Sequence, residues 1–208
     1  MGPLSERLID AATQEWEFFG YSSRALNNKW KIGGDEHDPP YRERVQRYWS
    51  VVGHPTWDGR TKQPWSGAFI SWCFDRADYG SRFEGSAKHS IYIDWIRRGG
   101  SADTLDLVDP QSADVEPGDL IWNSRRDETT SNIPQNYTQA IARLQAGDFF
   151  ISHVDIIVGV GDSEFSSIGG NVSNEDPGGS VTKSTWRING GRIADPRKSW
   201  IGLVKNRG

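Results

Sequence analysis

Cysteine is nearly absent from this chain: Cys73 is the only one among 208 residues. A single cysteine excludes an intrachain disulfide and any zinc site built from cysteines. No apolar run approaches the roughly 20 residues that span a bilayer, and residues 1–7 lack the charged-then-apolar order of a signal peptide. The net charge of −4 gives no reason to expect a nucleic-acid partner. We therefore expect a protein made in the cytoplasm, with neither nucleic acid nor membrane as partner, in which Cys73 is a buried apolar thiol.

Hydrophobic spacing changes from a helical period in the first half of the chain to a strand-like pattern in the second. Helices are predicted at residues 4–19, 41–52, 66–80 and 86–98. Residues 117–122 are predicted to form a turn that leads into a strand. Further strands are predicted at 149–160, 165–168, 180–188 and 200–205. This order predicts an α+β fold in one domain, residues 1–208, with N-terminal helices (about 4–98) packed on a C-terminal antiparallel sheet (about 117–205).

A polar insert, residues 124–147, separates the first two of these strands. It carries four charged residues in succession at 125–128 and has a helical pattern from about Gln135 to Leu144. Because it is long for a connection between neighbouring strands, we expect it to be more mobile than the strands and to overhang the cleft beside them.

Residues 64–72 read Pro-Trp-Ser-Gly-Ala-Phe-Ile-Ser-Trp and have the form of a helix start. Ser66 can cap the helix, and apolar residues follow it at helical spacing. A nucleophile at a helix N-terminus lies beside the positive end of the dipole and beside unpaired backbone N–H groups, both of which favour a developing anion. Ser66 is therefore our candidate nucleophile. The alternative is a helix cap without chemistry.

Three segments of the second half supply candidate partners for this serine: Pro117-Gly-Asp-Leu120, Ser152-His-Val-Asp-Ile156 and Ile168-Gly-Gly-Asn-Val172. A histidine on a strand beside the helix can take the proton of a serine, which assigns that role to His153. Asn171 is our candidate for orienting the imidazole. Asp155 is the rival, because residues two apart on a strand face the same side, and its carboxylate could instead bind a substrate amine.

These four segments, in this order, resemble papain-like cell-wall hydrolases of the NlpC-type and CHAP families. In those families a cysteine is followed at +3 by Phe, at +4 by an aliphatic residue and, in CHAP domains, often at +6 by Trp. Phe69, Ile70 and Trp72 hold these offsets, and Ser66 occupies the cysteine position. The resemblance implies a papain-like NlpC/CHAP-type fold with a catalytic set of Ser66, His153 and Asn171, without cofactor or metal.

A closer resemblance is to an uncharacterised bacterial family within this superfamily, in which Pro-Trp-Ser is the usual sequence. The shared residues are Glu15-Trp16, Tyr48-Trp49, Phe83, His89-Ser90, Tyr92-Ile93 and Gly169-Gly170-Asn171-Val172. On this view the serine belongs to the family. Because an alcohol is not readily ionised as a thiol is, Ser66 would have to lose its proton to His153 in step with attack.

The resemblance implies a peptidoglycan amide hydrolase, an amidase or endopeptidase acting on the stem peptide. It implies a monomer that is either an antibacterial effector delivered by type VI secretion into the periplasm of a target cell, or a phage lysin. An effector would need a cognate immunity protein in the producing cell. Two alternatives stay open: a catalytically inactive papain-like binding module, and an acyl or ester hydrolase with a substrate outside the wall.

Further residues are candidates for the lining of the site. Trp65 and Trp122, together with the insert, are expected to line the cleft. His89 either lines the cleft or packs on a helix surface. His37 and His54 lie in polar loops whose spacing matches no metal motif, so we expect them to be solvated.

Overall fold

The computed structural model describes residues 2–101, 103–125, 133–173 and 178–208. The helices are α1 (Pro3–Phe18), α2 (Tyr41–Val51), α3 (Ser66–Arg76), α4 (His89–Arg97) and α5 (Tyr137–Gln145). The strands are β1 (Ser22–Arg24), β2 (Trp30–Lys31), β3 (Leu105–Val108), β4 (Leu120–Ser124), β5 (Ser152–Val160), β6 (Glu164–Val172), β7 (Ser180–Asn189), β8 (Arg192–Ile193) and β9 (Trp200–Asn206). The predicted mixture of helices and a large sheet is confirmed.

The strands form one sheet in the order β2-β1-β7-β6-β5-β4-β9-β3, with β8 paired to β7. All neighbours are antiparallel except β1 and β7, which run parallel. The sequence patterns missed β1, β2, β3 and β8, which are two to four residues long and too short to show a period. They also placed the start of α4 three residues too early.

Helix α3 packs on the middle of the sheet, in contact with β5 and β6, and also contacts α1 and α2. Strand β5 is buried on both faces: Val154 and Ile156 belong to the core shared with the helices, whereas Ile157 packs with Phe165 and Trp186 on the opposite face. Burial on both faces accounts for its nearly continuous run of β-branched residues. The strand thereby holds the candidate residues at its N-terminal end in a rigid frame.

The turn before β4 is hydrogen-bonded to the end of β9, the last strand in the chain. Gly118 adopts a positive φ of 93°, and a Cβ there would lie 2.8 Å from the Ser5 side chain. The Asp119 carboxylate accepts hydrogen bonds from the Asn206 N–H at 3.0 Å and from Lys205 Nζ at 2.6 Å. This segment of the predicted motif is therefore structural, because it fixes β4 against β9 and contributes no side chain to the site described below.

The described part of the insert packs against the sheet. Helix α5 contacts β9, and Ser199 Oγ donates a hydrogen bond to Gln135 at 2.8 Å. Residues 126–132, which include most of the charged run, lie outside the described residues, so the expected overhang stays a prediction. Within the residues that are described, no helix is long and apolar enough to cross a bilayer.

Cys73 is fully buried in α3, as its apolar neighbours indicate. Burial raises the pKa of its thiol well above the usual value, with the nearby Glu15 carboxylate adding to the effect. A thiol held in its neutral form is a poor nucleophile.

Candidate functional site

The first residues of helices α3 and α4 are in contact. Helix α3 starts at Ser66 and α4 starts at His89, and Ser66 Oγ lies 2.7 Å from His89 Nε2. A serine in hydrogen-bond contact with an imidazole is one of the arrangements by which a nucleophile is activated. The direct partner of Ser66 is thus His89, which the sequence patterns left without a definite role.

The close approach of these two helices depends on small side chains. A Cβ on Gly67 would lie 2.2 Å from the carbonyl oxygen of Ala87, so only glycine lets the segment before α4 lie against α3. Ser71, one turn further along α3, accepts a hydrogen bond from the Ser86 N–H at 3.0 Å. Together these contacts fix the start of α4 and aim His89 at Ser66.

The electrostatic environment keeps His89 neutral. Burial lowers the pKa of its imidazole well below 6.5, and the charges of His153 and Arg125 act in the same direction. Its other ring nitrogen, Nδ1, is hydrogen-bonded to the hydroxyl of Tyr92. Burial raises the pKa of Tyr92, with Asp155 adding to the effect, so the phenol keeps its proton. In one tautomer Nδ1–H donates to Tyr92 and Nε2 accepts from Ser66, which is the form a general base needs.

Backbone donors are available beside the hydroxyl. The first hydrogen bond at the start of α3 runs from the Phe69 N–H to the Trp65 carbonyl at 2.9 Å. The amides of Gly67 and Ala68 precede it and belong to the N–H groups that a helix leaves without an intrahelical partner. They lie at the positive end of the α3 dipole, where an oxyanion is favoured.

A second titratable pair adjoins the first. His153 Nε2 lies 2.8 Å from Asp155 Oδ1, and Ser167 Oγ donates to the other carboxylate oxygen at 2.9 Å. Ser167 is held in turn by Trp186 Nε1 at 2.8 Å. Burial alone would raise the pKa of Asp155, but the charge of His153 and the hydrogen bonds from His153 and Ser167 outweigh it and lower the pKa. Asp155 is therefore a buried carboxylate that stays ionised.

His89 links the two pairs. Its ring packs edge-to-face on the His153 ring with a centroid separation of 5.5 Å. On the other side of the second pair lies Gly169, where a Cβ would fall 1.9 Å from Asp155 Oδ1 and 2.9 Å from His153 Nε2. The glycine is thus required for the position of both side chains. His153 Nδ1 is buried and has no hydrogen-bond partner in the part of the chain that the structure describes.

The remaining residues predicted for the site lie elsewhere in this conformation. Asn171 sits in an irregular part of β6 with a positive φ of 56°, and it makes no hydrogen bond with His153 among the described residues. Its Oδ1 faces Gly179. Trp65 and Trp122 are 1% and 0% exposed and belong to the core, so neither ring lines an open groove here. Asp155, the alternative to Asn171, is the residue that contacts His153.

Two further cations act on this group. Burial lowers the pKa of Arg125 and of Lys198, and the Asp155 carboxylate opposes the effect in both. Across the described ranges, no set of three His, Cys, Asp or Glu side chains is arranged to hold a metal ion. Ser66, His89 and His153 are 3%, 5% and 9% exposed. A substrate can therefore reach Ser66 only if the surrounding segments move.

Sequence reasoning did not assign a role to three residues that shape the site: Tyr92, Ser167 and Gly67. The spacing of His89 and Tyr92, three apart on one helical face, could have indicated their contact. No sequence signal marks Ser167, because its contact with Asp155 depends on the pairing of β5 with β6.

The lowered pKa of His89 makes the free energy of unfolding depend on pH. An imidazole in the unfolded chain takes up a proton below about pH 6.5, whereas folded His89 does not. The contribution of His89 to the free energy of unfolding is therefore complete above that pH and is lost as the pH falls. Relative to His89→Gln, the wild type should lose about 1.4 kcal/mol of unfolding free energy for each pH unit below 6.5 until the folded pKa is reached. Denaturant unfolding at a series of pH values measures this. Parallel curves for the two proteins would contradict a neutral buried His89.

Two glycine substitutions should disturb the two pairs separately. Gly67→Ala should push the start of α4 away and break the contact between Ser66 and His89, whereas Gly169→Ala should displace His153 and Asp155. Each should cost about 1–3 kcal/mol, as overpacking does. Gly159→Ala is the matched control, because a Cβ there meets no atom within 4 Å. NMR spectra of the imidazoles would report which histidine moves. Identical spectra for Gly67→Ala and the control would count against the packing described.

Comparison with known proteins identifies a family. Residues 23–206, most of the chain, match a family described as "Uncharacterized protein conserved in bacteria (DUF2272)". No curated protein and no solved structure matches the chain. The chain therefore belongs to the DUF2272 family of bacterial proteins.

Proposed function

We propose that this protein is a hydrolase that cleaves amide bonds with Ser66 as its nucleophile and His89 as the base that takes the serine proton. The observation that carries the proposal is the 2.7 Å contact between Ser66 Oγ and His89 Nε2 at the meeting of two helix N-termini. A neutral imidazole beside a serine hydroxyl can accept its proton as the new bond forms.

The reaction would proceed through an acyl-enzyme. Ser66 Oγ bonds to the carbonyl carbon as its proton passes to His89, and the oxyanion meets the N–H groups of Gly67 and Ala68. The C–N bond then breaks, and His89 returns the proton to the leaving nitrogen. A water oxygen then bonds to the ester carbon as its proton passes to His89, and the bond from that carbon to Ser66 Oγ breaks as His89 returns the proton to Ser66. The product acid leaves and the resting state is restored.

His153 is the second candidate base, and it is the one implied by the resemblance to papain-like enzymes. Its ring lies against His89 and contacts Asp155, an ionised carboxylate of the kind that orients catalytic imidazoles. In the conformation described here we assign the pair a positioning role, because the His153 ring packs on His89 and is itself held by Asp155. Opening of the site could instead bring Ser66 to His153, and the variants below separate these roles.

We assign peptidoglycan as the substrate class, with cleavage in the stem peptide by an amidase or endopeptidase activity. Support comes from the order of the four sequence segments, which resembles that of NlpC-type and CHAP domains, and from the packing of the helix that begins at Ser66 on the strand that carries His153. On this proposal the protein acts in the periplasm of a target cell, as a type VI effector paired with an immunity protein, or as a lysin.

A non-catalytic binding module is the alternative with a specific observation in its favour. Ser66 is almost fully buried, and the group on His89 Nδ1 is a neutral tyrosine where serine hydrolases commonly place a carboxylate. Binding of wall fragments without turnover would favour this reading. Turnover of simple esters without release of wall fragments would favour an acyl hydrolase.

The deciding experiment is digestion of purified peptidoglycan, with new amines counted and fragments identified by mass. Ser66→Ala should abolish release, and His89→Ala should lower kcat by about 10²–10⁴. The double variant should be hardly worse than either single one, since the two act as a unit. Ser66→Cys should retain activity, because a thiol is a competent nucleophile of nearly the same size.

The control is His37→Ala, which removes an exposed imidazole outside the site and should leave the rate unchanged. If His153→Ala abolishes activity while His89→Ala retains it, His153 is the base and the closed contact is a resting arrangement. Full activity in Ser66→Ala would reject the proposed nucleophile.

A further inference from the structure

An open pocket lies on the helical side of the protein, away from Ser66. Residues of α1, α2 and α3 line it: Gln14, Glu15, Phe18, Arg44, Arg47, Trp72 and Arg76. Arg76 follows Ser66 by ten residues on α3, about 15 Å of helix rise. The pocket is therefore separate from the hydrolytic site proposed above.

Positive charge dominates this pocket. Three arginines line it against one acid, Glu15, although the whole chain carries a net charge of −4. Glu15 is buried at 3% exposure, with the hydroxyl of Tyr48 donating to its carboxylate. Arg44 Nη1 lies 3.4 Å from the same carboxylate. One carboxylate cannot neutralise three guanidinium groups, so an excess of about two positive charges remains.

Aromatic rings hold two of these guanidinium groups in position. The Arg44 guanidinium carbon lies 4.4 Å from the Phe18 ring centroid, and that of Arg76 lies 5.9 Å from the Trp72 centroid. Stacking of this kind restricts the side chain and leaves the N–H edge available. Arg47 is exposed and makes no hydrogen bond or ion pair with the residues that the structure describes. Its donors are free for a ligand.

We propose that this pocket binds a dianionic oxyanion, held by the guanidinium groups of Arg44, Arg47 and Arg76. Two negative charges match the local excess, and the fork of N–H donors on arginine fits phosphate and carboxylate oxygens in pairs. Phosphate and dicarboxylate share this chemistry. The site also gives a role to Glu15 and Tyr48, sequence-motif residues that the proposed hydrolysis does not use: they anchor Arg44 at the floor of the pocket.

An NMR titration at constant ionic strength tests the site, with inorganic phosphate and succinate as separate probes. At least one should give saturable shifts confined to amides of α1, α2 and α3 around the pocket, and the one that does identifies the ligand class. Arg47→Ala should weaken binding roughly tenfold or more, and Arg47→Ala with Arg76→Ala should abolish it.

Arg60→Ala is the matched control, because it removes an exposed arginine outside the pocket and should leave the affinity unchanged. Absence of saturable shifts with both probes would overturn the proposal. Equal weakening by Arg60→Ala and Arg47→Ala would also overturn it, since the effect would then be general charge screening. None of these outcomes depends on hydrolytic activity, so failure here leaves the proposed function standing.

Discussion

The hydrogen bond between Ser66 and His89 requires two helices to begin within contact distance of each other, and much of the fold serves that approach. Helix α3 is buried against α1, α2 and the sheet, which fixes the position of its first residue. Gly67 lets the segment before α4 lie against α3, and Ser71 ties that segment down. Because the positive ends of both dipoles converge here, the site favours a neutral imidazole and a developing oxyanion.

The site consists of two neighbouring pairs, Ser66 with His89 and His153 with Asp155. His89 is kept neutral by burial and by nearby cations, whereas Asp155 is kept ionised by His153 and Ser167. Environments that push the pKa values of neighbouring groups apart in this way are typical of acid–base chemistry. The two histidine rings are in contact, so the positive charge of a protonated His89 would act on His153 and Asp155. This coupling is the physical reason to treat the four side chains as one unit.

The sequence predicted the parts of the site that are local and missed those that depend on tertiary contact. The helix start at Ser66 and the strand carrying His153 follow from apolar spacing and are confirmed. The partner of Ser66 could not be predicted, because the contact with His89 arises from the packing of Gly67 on Ala87 and leaves no periodic signal. Trp65 and Trp122 were expected in a cleft, but large rings in buried elements more often fill a core, as they do here.

The proposed chemistry depends on Ser66 being a nucleophile that a histidine activates. The most direct test is reaction with a fluorophosphonate, in which an activated serine oxygen bonds to phosphorus and displaces fluoride, followed by peptide mapping by mass spectrometry. We expect one phosphonyl group, located on Ser66, absent in Ser66→Ala and formed at least about 100-fold more slowly in His89→Ala. No modification of the wild type, or modification at another residue, would contradict it.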